Sequence, residues 1–530
     1  MNLETIGELS VNNGRIKIIC DLKPTGDPEK DKLIIPRIIE STLSLHKKNV
    51  TDIKRLFKYH YNETDILAKE KTQQPTINNK IGIAYGNIAV TTLNGYCFSN
   101  SLTFSSRKTG NEAQMKAFND SLDDDNYQDK LLKLALNTGI CGLGYKYIVP
   151  ATEEEIAEGI YYKTSTDIDP ENTYCVYANT LEEEKICAIS FFERKIYSET
   201  DYSVKRRETV YTVWTKYHQW EFVKGRNGWT NNKFEIDDFE YDAYPITYNK
   251  IPIVQYYRVQ DRTGDFEVAM DLINAINALA SARVDDVQQS VDYVIVLRDI
   301  DTESEGALTR IKACLKDGIL SFRSIQEAVV QPSVDVLDTK LNQQEVQTLQ
   351  QFLCDKVEEV LNIPNRNTKA SGGDTGNAVE SRNGFRSLEN KASLITSSIL
   401  RGENEALDVI LAICANIPSC PFNKMKPKDI DIKDNRNKYE NLTNSASAYG
   451  ALRSAGLNDI TALEVTKLVS DAITVSQMNE QAIQKKAEQD LKREIYRTQE
   501  MSKISQKNNG NSDSADNKKE SAKKDTNTKK

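Results

Sequence analysis

The stretch from Phe266 to Gln288 limits the fold more than any other part of this 530-residue chain. Ala269, Leu272, Ile273, Ile276 and Ala280 recur at helical spacing and make one apolar stripe. Ala275, Ala278 and Ala282 lie off that stripe. So much alanine raises helix propensity and lets neighbouring helices approach closely on several sides. Asp265 stands where it can cap this helix. A second helix is predicted from about Leu341, with Val346, Leu349, Phe352, Leu353, Val357 and Val360 on its apolar face and Pro364 at its end. Between the two lies a small mixed unit: the β-branched run VDYVIVLRDI, a helical ALTRIKACLKDG and a strand-like GILSF. Two helices that bracket a small unit and carry closely packable faces meet the requirement of a protruding two-helix stalk.

The rest of the chain divides around this stalk. Residues 1–30 read as polar and irregular, with Pro24, Gly26 and Pro28. Leu33 to Leu67 reads as mostly helical, with Pro36 near the start, where a helix tolerates it. A further helix is predicted to end near Leu93, followed by a short strand around Tyr96–Phe104. Ala113–Leu136 reads as two helices broken by an acidic stretch, and residues 145–258 as strand-rich. Within the latter, Tyr211, Val213 and Thr215 alternate with Val210, Thr212 and Trp214, and Gly225–Gly228 is a turn. After the stalk comes the polar loop NRNTKASGGDTGN. Ala378 to Ala415 then reads as one helix of roughly 57 Å, with Gly384 and Gly402 as places to bend. A proline-rich break, IPSCPFNKMKP, precedes a helical unit at 438–482. Residues 503–530 carry almost no apolar side chains and are predicted to be disordered, as a solubilising tail or a weak contact with other components.

Catalytic chemistry is not marked anywhere. His46, His60 and His218 share no metal-ligand spacing with one another or with a cysteine pair. No G-x-x-x-x-G-K-[ST] loop occurs, and the glycine cluster at 371–378 lacks the lysine that would reach phosphates. Gly142 and Gly144 read as opening a hairpin before the strand Tyr145–Val149. The runs Asp123–Asp125 and Glu153–Glu155 read as solvated faces, because adjacent carboxylates diverge. Trp214, Trp220 and Trp229 read as sheet packing rather than a base-stacking platform. The odd, scattered set of 9 cysteines points to free thiols in a reducing compartment. The beginning, MNLETIGELS, has no signal-peptide pattern, and no apolar run is long enough to cross a bilayer. The net charge of −9 argues against tight phosphate clamping. No catalytic, cofactor-binding or metal-binding residue is assigned, and the expectation is a protein that is not an enzyme and needs no cofactor.

At residues 249–297, NKIPIVQYYRVQDRTGDFEVAMDLINAINALASARVDDVQQSVDYVIVL, the chain resembles the phage portal proteins of the SPP1 type. Their strand, polar loop and L-I-x-A-x-N helix match Lys250, Ile251, Pro252 and Ile253, then Asp265 and Glu267, then Leu272, Ile273, Ala275, Asn277 and Ser281. NKIGIAYGNIAVTTLNGYCF, NTGICGLGYKYIV, SGGDTGNAVESR and the segment NRNKYENL to LRSAGLNDITAL resemble further family blocks, in the family's order. Asn274 departs from the pattern, which usually has Asp there.

The resemblance implies an α+β, mostly helical portal fold with a strand-rich wing section, forming a ring-shaped homo-oligomer of twelve subunits around a DNA channel. Residues 1–264 and 377–416 would form the wing, 265–290 and 339–363 the stem, and 291–338 the clip. Residues 364–376 would be the tunnel loop, 417–482 the crown and 483–530 an extension. Asn365, Arg366, Asn367, Thr368 and Lys369 would face the channel. Ala269, Leu272, Ile273, Ala275, Ile276, Ala278, Leu349 and Phe352 would pack the stem. Partners so implied are terminase, the major capsid and scaffolding proteins, a head–tail adaptor and double-stranded DNA passing through, with no membrane. Mild acidity suits a surface that lets DNA slide. Two other classes stay open from the residues alone: a minor capsid component, and a nucleic-acid enzyme with an unmarked site.

Overall fold

The computed structural model describes residues 14–509, except 73–74, 109, 198–203, 227, 237–238, 292–294, most of 299–332, 337–342, 365–384, 437–441, 467 and 470–471. The first half runs β1 (Ile18–Cys20), α1 (Pro28–His60), α2 (Tyr85–Phe98), β2 (Thr103–Ser106), α3 (Glu112–Asp124), α4 (Tyr127–Cys141), β3 (Leu143–Pro150), α5 (Glu153–Ala157), β4 (Tyr162–Ser165) and β5 (Thr173–Ala178). There follow β6 (Lys185–Tyr197), β7 (Val204–Trp214), β8 (His218–Gly225), β9 (Gly228–Asn232), β10 (Phe234–Ile236), β11 (Phe239–Tyr241), β12 (Tyr244–Pro245) and β13 (Ile253–Tyr257). Then come α6 (Met270–Val291), β14 (Ile295–Arg298), β15 (Ser333–Val336), α7 (Gln343–Leu361), α8 (Phe385–Ala415) and β16 (Ile430–Lys433). Three helices close the chain: α9 (Leu442–Ser454), α10 (Asp459–Thr466) and α11 (Ala472–Asn509). The α+β class expected from the sequence is what forms.

Two compact units result, Met1–Lys438 and Tyr439–Lys530. In the first, β1, β5, β6, β7, β8 and β12 form one sheet in that order, with β9 also on β8. Helix α1 covers it: Ile35, Ile38 and Ile39 pack against Val176, Ile189, Val213, Trp220 and Phe222. The three tryptophans sit in this sheet, Trp220 wholly buried and Trp214 nearly so, with Trp229 packed on the cluster's edge. A second sheet, β13-β3-β4, packs under α8, whose Ile395, Ile399, Leu407 and Ile410 share a core with Leu131, Leu134, Val254 and Tyr256. Three lysines from the strands and their loops pin α8: Lys146 on Glu403 at 2.6 Å, Lys185 on Glu405 and Lys250 on Asp408. The Lys146–Glu403 pair is 3% exposed on both sides, and Tyr256 adds a hydrogen bond to Glu403 at 3.0 Å.

Several boundaries differ from expectation for identifiable reasons. Strand β1 lies in the segment read as irregular, because parallel pairing to β5 supplies what its three residues lack. Helix α1 starts before Leu33, with Asp27 as cap and Pro28 in its first turn, so Pro36 is interior. Helix α2 runs past Leu93 to Phe98, and the strand after it is Thr103–Ser106, paired with β16. Asp125 is not simply solvated, since it accepts from the Thr164 amide at 3.2 Å and from Lys130 at 2.6 Å. Gly142 ends α4 in the left-handed region instead of opening a hairpin. Gly402 has a packing role: a Cβ there would stand 2.4 Å from the Tyr256 ring, so glycine lets α8 lie on that ring. Residues 417–436 belong to the first unit, with Phe422 and Ile430 buried in its core, and the second unit begins only at Tyr439. Helix α11 continues to Asn509, beyond the expected disorder boundary at 503.

His46 gives the fold a pH signature. Its ring stacks on Tyr174 with centroids 4.4 Å apart, and Nε2 bonds the Glu171 carbonyl at 2.8 Å. Burial pushes its pKa down to about 4. The unfolded chain therefore binds this proton first as pH falls, and stability drops between about 6.5 and 4, by up to about 1.4 kcal/mol per pH unit. His46→Phe should flatten that decline, which urea midpoints at pH 7, 6, 5 and 4.5 would measure; an equally steep decline would rule His46 out as its source.

Candidate functional site

Helix α6 carries a polar face, not only an apolar one. Asn277, Ser281 and Asp285 recur every four residues, about 6 Å apart along the axis. An extended chain repeats every second residue at nearly that distance. Residues 79–83 exploit the match. The Ile83 amide donates to Asn277 Oδ1 at 2.9 Å, the Ile81 amide to Ser281 Oγ at 2.9 Å, and the Asn79 amide to Asp285 Oδ1 at 2.7 Å. All three side chains are buried. Lys69 adds a charged bond to Asp285 Oδ2 at 2.7 Å. Burial alone would raise the Asp285 carboxyl, but Lys69 and Asn79 hold it down to about 2. Asn277 Nδ2 also donates to Thr64 Oγ1 at 3.2 Å.

Asn274 fits the same pattern. It accepts from the Tyr59 hydroxyl at 3.0 Å and donates to Asp65 Oδ2 at 3.1 Å. An aspartate here would face the Asp65 carboxylate and could donate nothing, which accounts for the departure from Asp.

The root of α6 is built from charge and close backbone contact. Asp265 does not cap the helix; its two oxygens take Arg258 Nε at 2.8 Å and a terminal nitrogen at 2.7 Å, with both side chains 1% exposed. Two parallel bonds make this the strong, directional form of ion pair. Beside it Glu267 pairs with Arg15 and accepts from the Gly264 amide at 3.0 Å. Burial nevertheless holds the Glu267 carboxyl above its usual range. Gly142 and Gly264 let two chain segments touch: a Cβ would lie 2.1 Å from the Arg262 carbonyl and 2.2 Å from that of Ile140, respectively.

Helix α7 returns to this root. Its Val357 and Leu361 are fully buried with Ile273 and Ile276 of α6 and with Ile53 and Leu56 of α1. It stops at Asn362, not at Pro364: Asn362 has φ +58°, and the Ile363 amide reaches back to the Glu358 carbonyl at 2.9 Å. Lys391, on α8, then bridges both helices. Its ammonium donates to the Asp265 carbonyl and the Leu361 carbonyl, each at 3.2 Å. At the far end, β14 and β15 pair antiparallel from Ile295↔Val336 to Arg298↔Ser333.

The stem residues named from sequence separate into two groups. Ala269, Ile273 and Ile276 are buried within the subunit, and Leu272 partly so. Ala275 and Ala278 are exposed, as are Leu349 at 50% and Phe352 at 54%. Asn365, Arg366, Asn367, Thr368 and Lys369, with GILSF and all of ALTRIKACLKDG except Thr309 and Ala313, lie outside the described residues. The ladder on α6 and the Lys391 bridge went unread in the sequence, although polar residues at i, i+4 and i+8 of an apolar helix are a signal for the first. Among the described residues, no group of His, Cys, Asp and Glu could hold a metal ion, and no helix is long and apolar enough to cross a membrane.

Removing one rung tests the ladder. Ser281→Ala leaves the Ile81 amide without an acceptor, at a cost of about 1–3 kcal/mol. Hydrogen exchange should accelerate at Ile81 and Ile83; unchanged rates would mean that the segment is held by other contacts.

Comparison with known proteins gives two matches. The family model described as "Phage portal protein, SPP1 Gp6-like" matches residues 41–501. The portal protein of Bacillus phage SPP1 is 22% identical over 424 residues, spanning 72% of this chain and 76% of that protein.

Proposed function

The chain belongs to the SPP1 Gp6-like family of phage portal proteins, and we propose on that premise how its parts serve the portal. The family is structural rather than enzymatic, and its members are oligomeric components of the phage head. In the proposed form, twelve subunits make a ring at one capsid vertex. Double-stranded DNA is packaged and ejected through it, and the ring nucleates procapsid assembly in the host cytoplasm. Terminase docks on it and supplies the ATP hydrolysis; scaffolding, major capsid and adaptor proteins are its other partners. The observation that carries this reading is the α6–insert–α7 hairpin, rooted at Lys391 and closed at the other end by β14–β15 pairing.

The assignments follow that hairpin. Helices α6 and α7 are the stem, and 291–338 the clip, at the end remote from the root. Residues 1–264 and α8 are the wing, 364–376 the tunnel loop, and the helices from Tyr439 the crown. Ala275 and Ala278 offer small surface, and Leu349 and Phe352 large surface, to neighbouring copies. A heterologous contact between such unlike faces closes into a ring.

Ala278→Trp should weaken that contact by about 1–3 kcal/mol through overpacking, while leaving the subunit folded, because the position is exposed. Native mass spectrometry should show rings for the wild type and subunits for the variant. Rings of equal abundance would remove the alanine face from the interface, and a wild type without rings would count against the portal reading. Changing Arg366 and Lys369 together to Glu tests the tunnel loop. Rings should persist, because surface charges seldom shift stability. Particles carrying the pair should hold shortened or poorly retained genomes, since like charge would then line the DNA path. Full-length, stably held DNA would mean that these side chains do not face it.

A further inference from the structure

We propose that Lys391 is the positioning residue that sets the angle of the α6–α7 hairpin against α8. Its ammonium is the one described group that donates to both ends of the hairpin, the Asp265 carbonyl ahead of α6 and the Leu361 carbonyl that closes α7. The two carbonyls belong to segments almost a hundred residues apart in the chain, so their meeting on one nitrogen fixes both helices at a single point.

Three features make that point a reference and not an incidental contact. Helix α8 is itself immobilised further along by Glu403, Glu405 and Asp408, each paired with a lysine of the strand-bearing part of the unit. Asp265 is tied by Arg258 to the end of β13, so its carbonyl has a fixed direction. Leu361 closes a helix, and its carbonyl lies at the negative end of the α7 dipole, where a cation is favoured. Among the described residues the ammonium bonds no carboxylate, and burial lowers its pKa while the neighbouring Asp265 charge opposes that. A lysine kept for stability alone would be poorly placed here, since an apolar side chain of equal length would avoid the desolvation. Directional donation to two carbonyls is what the charge provides.

The consequence for function rests on the ring reading: each subunit adds the same angle, so a small spread in that angle becomes a spread in the number of subunits that close. Lys391→Met keeps the length and removes the donor; Lys391→Arg keeps a donor. Hydrogen exchange on the full-length subunit decides the proposal. In the Met variant, the amides of Asn362 and Ile363 and the first turn of α6 should exchange about tenfold faster, the loss of roughly one hydrogen bond. Those of β5–β8 should be unchanged, and the Arg variant should restore protection. Equal protection in wild type and Met variant, or loss spread evenly over the unit, would overturn it. Native mass spectrometry on the same samples reads the consequence: one ring size for wild type and several for the Met variant. A wild type that forms no ring would refute the ring reading and leave the exchange result standing.

Discussion

A helix that leaves a globular body needs its rotation fixed as well as its position. An apolar stripe does this weakly, because burial has no direction. The ladder between α6 and residues 79–83 does it strongly. A slip of one residue would turn the helix by about 100° and part three buried side chains from their amide partners together. The rest of α6 inherits this setting: which alanines face outward, and where α7 can lie. Two segments that carried the resemblance, NKIGI and L-I-x-A-x-N, are therefore the two halves of one contact.

The root is held by charge to a similar end. Arg258 with Asp265, Arg15 with Glu267 and Lys146 with Glu403 all lie wholly or largely out of water. Such pairs add little net stability compared with apolar packing, yet separating one is costly. They act as locating pins. Helices and sheets share the buried apolar mass, and the pins tell α8 and the hairpin where to stand on it.

How much of this could be read in advance depends on how local the cause is. The stripe Ala269–Ile273–Ile276 was legible because helical spacing and burial coincide. Leu349 and Phe352 have the same spacing but stay exposed in the subunit, since periodicity shows that a face is apolar without showing what covers it. Strand β1 was illegible because its partner lies more than a hundred and fifty residues away. Asp265 has the look of a cap, and only the arrival of Arg258 gives its carboxylate other work. Pro364 is the more conspicuous stop in the sequence, yet the left-handed Asn362 ends the helix before it. The fold class was thus readable, whereas the contacts that orient α6 and α7 are long-range and polar, and leave only faint traces in sequence.

The pairing of β14 with β15 makes the insert a cassette. Ile295 and Val336 stand side by side, at the spacing of neighbouring strands, about 4.8 Å. Any segment whose termini meet at that distance can be exchanged there without moving α6 or α7. Sequence change can therefore be accommodated in the insert while the helices and their root stay as they are. Divergence would be expected to run fastest between Arg298 and Ser333, and slowest at the rungs of the ladder.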